Sequence, residues 1–454
     1  MKVSLERYKH KNWLIAFSGG ADSRVLLELL FQNRTLAKSI TAIYVNHHLQ
    51  EIANEWEEIN RQTCVELGIE YIVEHVVVDI KGSVEANARN ARYKAFAKHM
   101  TKESVLFTAH HSDDLLESIL LAYIRGSGLD GVCATPQERT FEKGLLVRPL
   151  LGYSRAQIED YCVKNNLSYV VDPTNSHNEY DRNFIRNNIT PLLKNRFPQI
   201  LTNTYKTSQN LCADKRVLDA YYESELSSKL ESVQWGKKAV LYSALLNYSD
   251  DFKLGILHYF FKSRYGIVPI KSQLLAILNY ESIASDSKFK LDVGTNIISV
   301  YRDYIYVADS IEKKNDEQVI ELTISNSFTY NGYSYKLILL TDVEVDSIKA
   351  NNEQSAIDIY YLSNINESIT LCFNPRVSIR VHPFYRNHSQ TLKNIWKEIG
   401  IPLYLRPNYP IVMKDNNVLG MLNVFKCKGV EKDKIKVMVV KEYVGAGSLN
   451  KKSF

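Results

Sequence analysis

Across the first 110 residues, short apolar runs take turns with longer amphipathic stretches, and no other feature constrains the fold as tightly. The runs "NWLIAF" (Asn12 to Phe17), "SITAIYVNHHL", "IEYIVEHVVV" and "SVLFTAH" have the length and boundaries of strands. Helical patterns separate them, one leucine-rich after Gly20, one from about Ile52 to Leu67 and one from Ser83. Strand and helix in strict alternation predict crossover connections and hence a doubly wound parallel sheet of α/β class. "LLVRPLL" and a capping-box helix opening on "SRAQ", Ser154 to Gln157, carry this layer to about residue 195.

In such a sheet, ligands gather beyond the carboxyl ends of the strands. The first strand delivers "SGGADS", Ser18 to Ser23, directly into a helix. Bare backbone at a helix mouth offers unpaired N–H groups and a partial positive charge, a cradle for phosphate. No lysine follows, so the stretch is not the G-x-x-x-x-G-K-[ST] loop, and Asp22 in the turn suggests a bridging magnesium. An ordinary helix N-cap, with Ser18 or Asp22 satisfying backbone donors, is the alternative. The second strand delivers His47 and His48, and the fourth delivers "AHHSDDLLES" with His110, His111, Asp113, Asp114 and Glu117. Asp114 and Glu117 share one helical face, where crowded carboxylates repel unless a cation sits among them. Acids also favour helix N-termini on their own account.

Length and composition set the outer limits. The 454 residues suffice for two to four domains, and 45% hydrophobic with 24% charged content describes a globular chain. No apolar run reaches the roughly 20 residues that cross a bilayer, and "MKVSLERYKHKNW" lacks a signal-peptide core, so a cytoplasmic protein without membrane contact is expected. Six scattered cysteines with no C-x-x-C pair argue against zinc ribbons, clusters or disulfides and read as buried apolar residues. From about Asn203 the pattern turns helical, predicting a second domain over 201–312. Residues 313–370 read as an acidic connector with strands of its own, and 371–454 as a small mixed α/β domain. That last block holds 15 Lys and Arg against 5 Asp and Glu, an excess suited to a polyanion such as nucleic acid.

"SGGADS" resembles the pyrophosphatase-type loop (PP-loop) of the ATP pyrophosphatase superfamily. The ordered series "VNHHL", "EANARNARYKAF", "HHSDDLLES", "RGSGLDGV", "VRPLL" and "DPTNSHNEYDRNFIRNNITPLL" resembles that of the tRNA(Ile)-lysidine synthetases over residues 14 to 193. "LKNIWKEIGIPLYLRPNYPIV" resembles the family's small C-terminal domain more loosely, and residues 200 to 370 resemble it in size and order alone.

The resemblance implies an adenine nucleotide alpha hydrolase-like catalytic domain over 1–200, with tRNA-binding domains after it. It implies ligation of free L-lysine to C2 of the wobble cytidine of a tRNA(Ile) with a CAU anticodon. ATP first adenylates the cytosine O2, releasing pyrophosphate, and the lysine amine then displaces AMP. Ser18, Gly19, Gly20, Ala21, Asp22 and Ser23 would hold the ATP phosphates, and Asp22 with Asp114 the magnesium (Mg2+). Asp114 and Glu117 would serve catalysis by holding or deprotonating the amine, with Arg89 and Arg148 meeting phosphate charge. His111, Asp113, Arg92, Arg125, Gly126, Gly128, Arg182 and Arg186 complete the substrate-binding set. Tyr93, Tyr153 and Tyr180 are candidates for base stacking, Asp172 for pairing with Arg148. The resemblance leaves room for a homodimer.

Two departures stand out. The family's "DDQAET" is here "DDLLES", with Leu115 in place of the polar residue between the acids and Ser118 in place of the threonine, and "FNPRVSIRVHPFYRN" lacks some of the glycine-rich lead-in. Two other functions stay open: a PP-loop tRNA thiolase, for which Cys133 is the candidate cysteine, and a nonenzymatic RNA-binding module.

Overall fold

The computed structural model describes all residues except 50–51, 80, 82–83, 172–180, 236, 280–288, 310–316, 331–332, 352–358, 416, 429–434 and 444–454. Asp172 and Tyr180 lie outside the described residues, as does Ser83, the expected helix start. The chain divides into two compact units, Met1–Ala220 and Tyr221–Phe454.

In the first unit, β1 (Asn12–Ala16), α1 (Ala21–Gln32), β2 (Ser39–Asn46), α2 (Ala53–Leu67), β3 (Glu70–His75), α3 (Val84–Ala97) and β4 (Ser104–Phe107) follow the expected alternation. Then come α4 (Ser112–Ile124), α5 (Leu129–Val132), β5 (Glu138–Phe141), β6 (Gly144–Val147), α6 (Arg155–Lys164), α7 (Asp181–Phe184), α8 (Thr190–Arg196) and the start of α9 (Ile200–Glu225), whose last turn belongs to the second unit. The sheet runs β3-β2-β1-β4-β6-β5, parallel except for the antiparallel edge strand β5. Period-two alternation sends Trp13 and Ile15 to one face, packed with Leu26 and Ile158, and Leu14 to the other, packed with Phe96, Leu106 and Leu146. Both faces are therefore covered, as a parallel sheet requires. Three runs read as strand leave the sheet early: β2 ends at Asn46, β3 at His75 and β4 at Phe107. Asn46 is the reason in the first case, because its side chain turns to hydrogen-bond Asn54 and the His48 amide.

The second unit opens with β7 (Glu231–Gln234), β8 (Lys237–Leu241), α10 (Tyr242–Leu245), α11 (Asp250–Tyr265), α12 (Lys271–Leu278), β9 (Leu291–Val293), β10 (Asn296–Tyr301) and β11 (Tyr304–Asp309). Helices dominate as expected, but Ile256, Leu257, Phe260 and Phe261 of α11 bury against Val240, Ile298 and Ile305 of a five-stranded sheet, β7-β8-β11-β10-β9. Two of its strands, β7 and β8, are polar enough that periodicity did not suggest them.

Further on lie β12 (Gln318–Leu322), β13 (Ser327–Tyr330), β14 (Tyr333–Leu340), α13 (Asp342–Asn351), β15 (Ile359–Leu362), β16 (Ile369–Phe373), β17 (Arg380–Val381) and β18 (Gln390–Thr391). The chain closes with α14 (Leu392–Ile399), β19 (Ile411–Lys414), β20 (Asn417–Met421), β21 (Phe425–Lys426) and β22 (Ile435–Tyr443). The stretch read as a connector is woven into its successor: β12 pairs with β16, β16 with β19, and both β14 and β15 with β22. All six cysteines are buried and free. Among the described residues, no helix is long and apolar enough to cross a membrane.

Candidate active site

Strand order reverses between β1 and β4, whose neighbours lie on opposite sides, and a crevice opens at that switch point. The loop after β1 forms one wall of a cleft of about 620 Å³ lined by Ser18, Gly20, Ala21, Asp22 and Ser23. Gly19 sits behind them at φ +86, and any Cβ there would collide with Asn60 of α2. Only glycine meets both conditions. Gly20 is the N-cap of α1 in extended conformation, and no side chain caps the helix. Ser18 and Asp22 thus do not act as N-caps; Ser23 turns its hydroxyl to the Gly20 carbonyl at 3.0 Å. The first-turn N–H groups of α1 remain open to an anion.

The residues after β4 form the facing wall. His111 caps α4 through a capping box, its Nδ1 accepting from the Asp114 amide at 3.4 Å while Asp114 Oδ2 accepts from the His111 amide at 3.1 Å. That box aims the imidazole at the loop, with His111 Nε2 lying 3.6 Å from Asp22 and 3.4 Å from Asp114. Asp22 Oδ1 is buried without a hydrogen-bond partner. Burial pushes its carboxyl above the usual range, against the pull of His111 and Arg155. Burial pushes Asp114 the same way, but His111, Arg182, His110 and Arg186 together outweigh it and hold the carboxyl well below its ordinary value.

Glu117, one turn on, is buried with both oxygens engaged. Arg182 Nε donates to Oε2 at 2.9 Å and Arg186 Nε to Oε1 at 2.7 Å, and both guanidiniums reach Asp114 Oδ1, at 3.1 and 3.2 Å. Two acids and two arginines, 65 to 72 residues apart in sequence, make one closed network. Asp113 faces elsewhere. It accepts from the Arg155 amide at 2.9 Å and from Lys194 at 2.8 Å, tying α6 and α8 to α4 outside the cleft.

Arg89 and Arg92 line the cleft from α3, both exposed. Arg148 is buried, donating to the Pro136 carbonyl at 2.6 Å, and is not part of the lining. Arg125, Gly126 and Gly128 are exposed beyond the end of α4, also outside the lining. Cys133 is buried and absent from the lining as well. Its thiol is pushed up to about 12, by burial first and then by hydrogen bonding with Cys212.

Several contributors escaped the reading of the sequence. Arg155 lines the cleft and Tyr169 and Val170 cover the loop, the Val170 amide donating to the Gly19 carbonyl at 3.0 Å. The capping box at Ser154 fixed Arg155 as the first helical residue, but no local signal says where that helix points. His47, which the sequence did place at the end of the second strand, faces the cleft beside Arg92 with Nε to Nε2 at 3.4 Å. Burial, then Arg92 and His48, lower its pKa to about 4.

A parallel sheet with an uncapped glycine turn at its switch point, faced by acids and arginines, defines an ATP-using PP-loop fold. Residues 1–193 match the family described as the PP-loop domain, and residues 369–440 that described as the TilS substrate C-terminal domain. The tRNA(Ile)-lysidine synthase of Vibrio atlanticus is 31% identical over 93% of this chain and 94% of its own length. That of Serratia proteamaculans is 31% identical over 92% of each. The chain belongs to the tRNA(Ile)-lysidine synthase family.

Proposed function

We propose that this chain forms lysidine, using ATP to join free L-lysine to C2 of the wobble cytidine in a tRNA(Ile) with a CAU anticodon. The observation that carries the reading is the convergence of an open helix N-terminus and the Asp22, His111 and Asp114 side chains on one cleft. The α1 donors seat the pyrophosphate portion of ATP, so that the α-phosphate is presented to a pyrimidine turned out of its loop. Arg89 and Arg92 meet the charge that builds on phosphate oxygens as pyrophosphate and then AMP depart.

The residues fit magnesium. Its usual complement in such sites is one or two carboxylates plus phosphate oxygens, and Asp22 offers a buried carboxylate oxygen that no hydrogen bond uses, close to Asp114. Bound there, the ion would neutralise phosphate charge as the leaving group separates. Asp114, kept ionised, orients the lysine ammonium. Glu117, saturated by Arg182 and Arg186, holds those two guanidiniums in place instead of meeting substrate. We assign residues 1–200 to catalysis and the later parts of the chain to gripping the tRNA, with the basic final block on its phosphates.

The test supplies ATP, labelled lysine and unmodified tRNA(Ile) carrying CAU. Label entering the RNA, and lost with Asp114→Ala, is expected; a folded wild-type chain that transfers none sinks the reading.

A further inference from the structure

Three arginines of the first unit gather around one aromatic ring with no acid among them. Arg89 of α3 places its guanidinium carbon 5.1 Å from the centroid of Tyr93, and Arg139 of β5 lies 5.8 Å from the same centroid and 5.4 Å from that of Phe141. Behind them Arg148, almost wholly buried, has one satisfied amine and a buried Nε with no partner. Among the described residues, none of the three is ion-paired with a carboxylate. Glu138, next to Arg139 in β5, is turned away and taken by Tyr8 and Arg7.

Three like charges so placed repel one another, and ring faces offset only part of that cost. The pKa of Arg148 is lowered by burial first, with Tyr93 opposing the drop and Arg139 and Arg89 adding to it. Exposure is graded: Arg89 exposed, Arg139 half-buried, Arg148 buried. Arg89 and Tyr93 belong to the cleft lining, so the outer end of this ladder opens on its rim. A forked, delocalised cation at such a rim is suited to phosphate.

We propose that Arg139 forms a second phosphate subsite at the rim of the cleft, with Arg89 on its cleft side facing the nucleotide and Arg148 as a fixed charge beneath it, and that its ligand is a backbone phosphodiester of the bound RNA. Resting on the tRNA reading above, it adds a positioning role for Arg139, a residue outside every motif of the resemblance. The choice of ligand follows from spacing. In the sheet, β5 is separated from β1 by β4 and β6. At one strand spacing each, that is roughly 14 Å between the phosphate cradle at α1 and the strand carrying Arg139. RNA repeats its phosphates along a chain, so a nucleotide seated in the cleft brings its neighbours' phosphates to the rim, whereas ATP held at α1 has already placed its own.

The experiment compares wild type, Arg139→Ala and Arg139→Lys by tRNA anisotropy across a salt series and by steady-state kinetics. For Arg139→Ala we expect tRNA affinity about tenfold weaker, a slope of log affinity against log salt shallower by roughly 0.7 to 0.9, and KM for ATP unchanged. The lysine variant should recover the slope but only part of the affinity. The thermal midpoint of Arg139→Ala without ligand should stay level or rise, since a repelled charge is gone; a purely structural arginine would lower it. A raised KM for ATP with unaltered tRNA binding would reassign the phosphate to the nucleotide and overturn the proposal. Unchanged tRNA binding and unchanged salt slope overturn it equally. Because binding is read without turnover, a wild type that binds tRNA yet adds no lysine would count against the activity and not against the subsite.

Discussion

The two ends of this cleft handle charge in opposite ways. Around α4, Asp114 and Glu117 meet Arg182 and Arg186 in a network that leaves Glu117 no free oxygen. Around α1 and β5 the reverse holds: helix N–H groups without a side-chain cap, and guanidiniums without acids. A closed network holds geometry; an open set of donors stores binding capacity at the expense of stability. Damage to the first should therefore show mainly in catalysis and folding, and damage to the second mainly in affinity.

The largest effect is expected from Asp114→Ala, which strips the acid shared by both arginines and His111. Lysine incorporation should fall by about 100- to 1,000-fold, read as kcat with saturating ATP and tRNA. Next is Arg186→Ala, which leaves Glu117 buried with half its partners. A loss of about 3 kcal/mol is expected in a urea titration followed by a probe in the first unit. If stability is unchanged, the network is not a scaffold.

Gly19→Ala attacks the open side. The left-handed backbone costs an alanine about 1 to 2 kcal/mol, so KM for ATP should rise by roughly 5- to 30-fold. Adding Asn60→Ala removes the collision but not the backbone cost, so rescue should be partial. Full rescue would mean that φ at Gly19 does not matter.

The smallest effect concerns pH. His47 titrates near 4 in the fold and His110 near 3, both lowered by burial from about 6.5. Between those values the unfolded chain binds more protons than the folded one, so stability rises with pH there. It is complete above about pH 6.5 and declines on acidification toward pH 4. Asp114, held low, adds its own loss further down, while Asp22, held high, opposes it. Urea midpoints at pH 7 and pH 5 should differ in wild type and differ less in His47→Gln.

Much of this arrangement is legible in the sequence, and the part that is not has a physical explanation. Alternating periodicity gives the order of β1 to β4 and their starts to within a residue, because apolar runs mark where the chain enters the sheet, but it runs past the ends of β2, β3 and β4. The acids of α4, Arg182 of α7 and Arg186 just beyond it are each marked singly by the sequence. Their pairing is not, since nothing local encodes a contact across 65 to 72 residues. Asp113 shows the same limit from the other side: adjacent to Asp114 in sequence, it points the other way, a consequence of 100° per helical residue that decides function. Arg139 had no motif to mark it. The interlocked strands of the second unit were hidden too, their partners being up to 110 residues away.

That interlocking sets an order of events during synthesis. The last of the described strands, β22, is not at an edge but between β14 and β15, matched with β14 from Tyr333 and Tyr443 through Leu340 and Lys436. Until Ile435 to Tyr443 clear the ribosome, β14 and β15 each wait with an unpaired edge, while the strands of the first unit's sheet have been available for hundreds of residues. A nascent chain cut short before Ile435 would carry a finished nucleotide cleft attached to sticky, half-built sheets, a substrate for chaperones or proteases and not a smaller working enzyme.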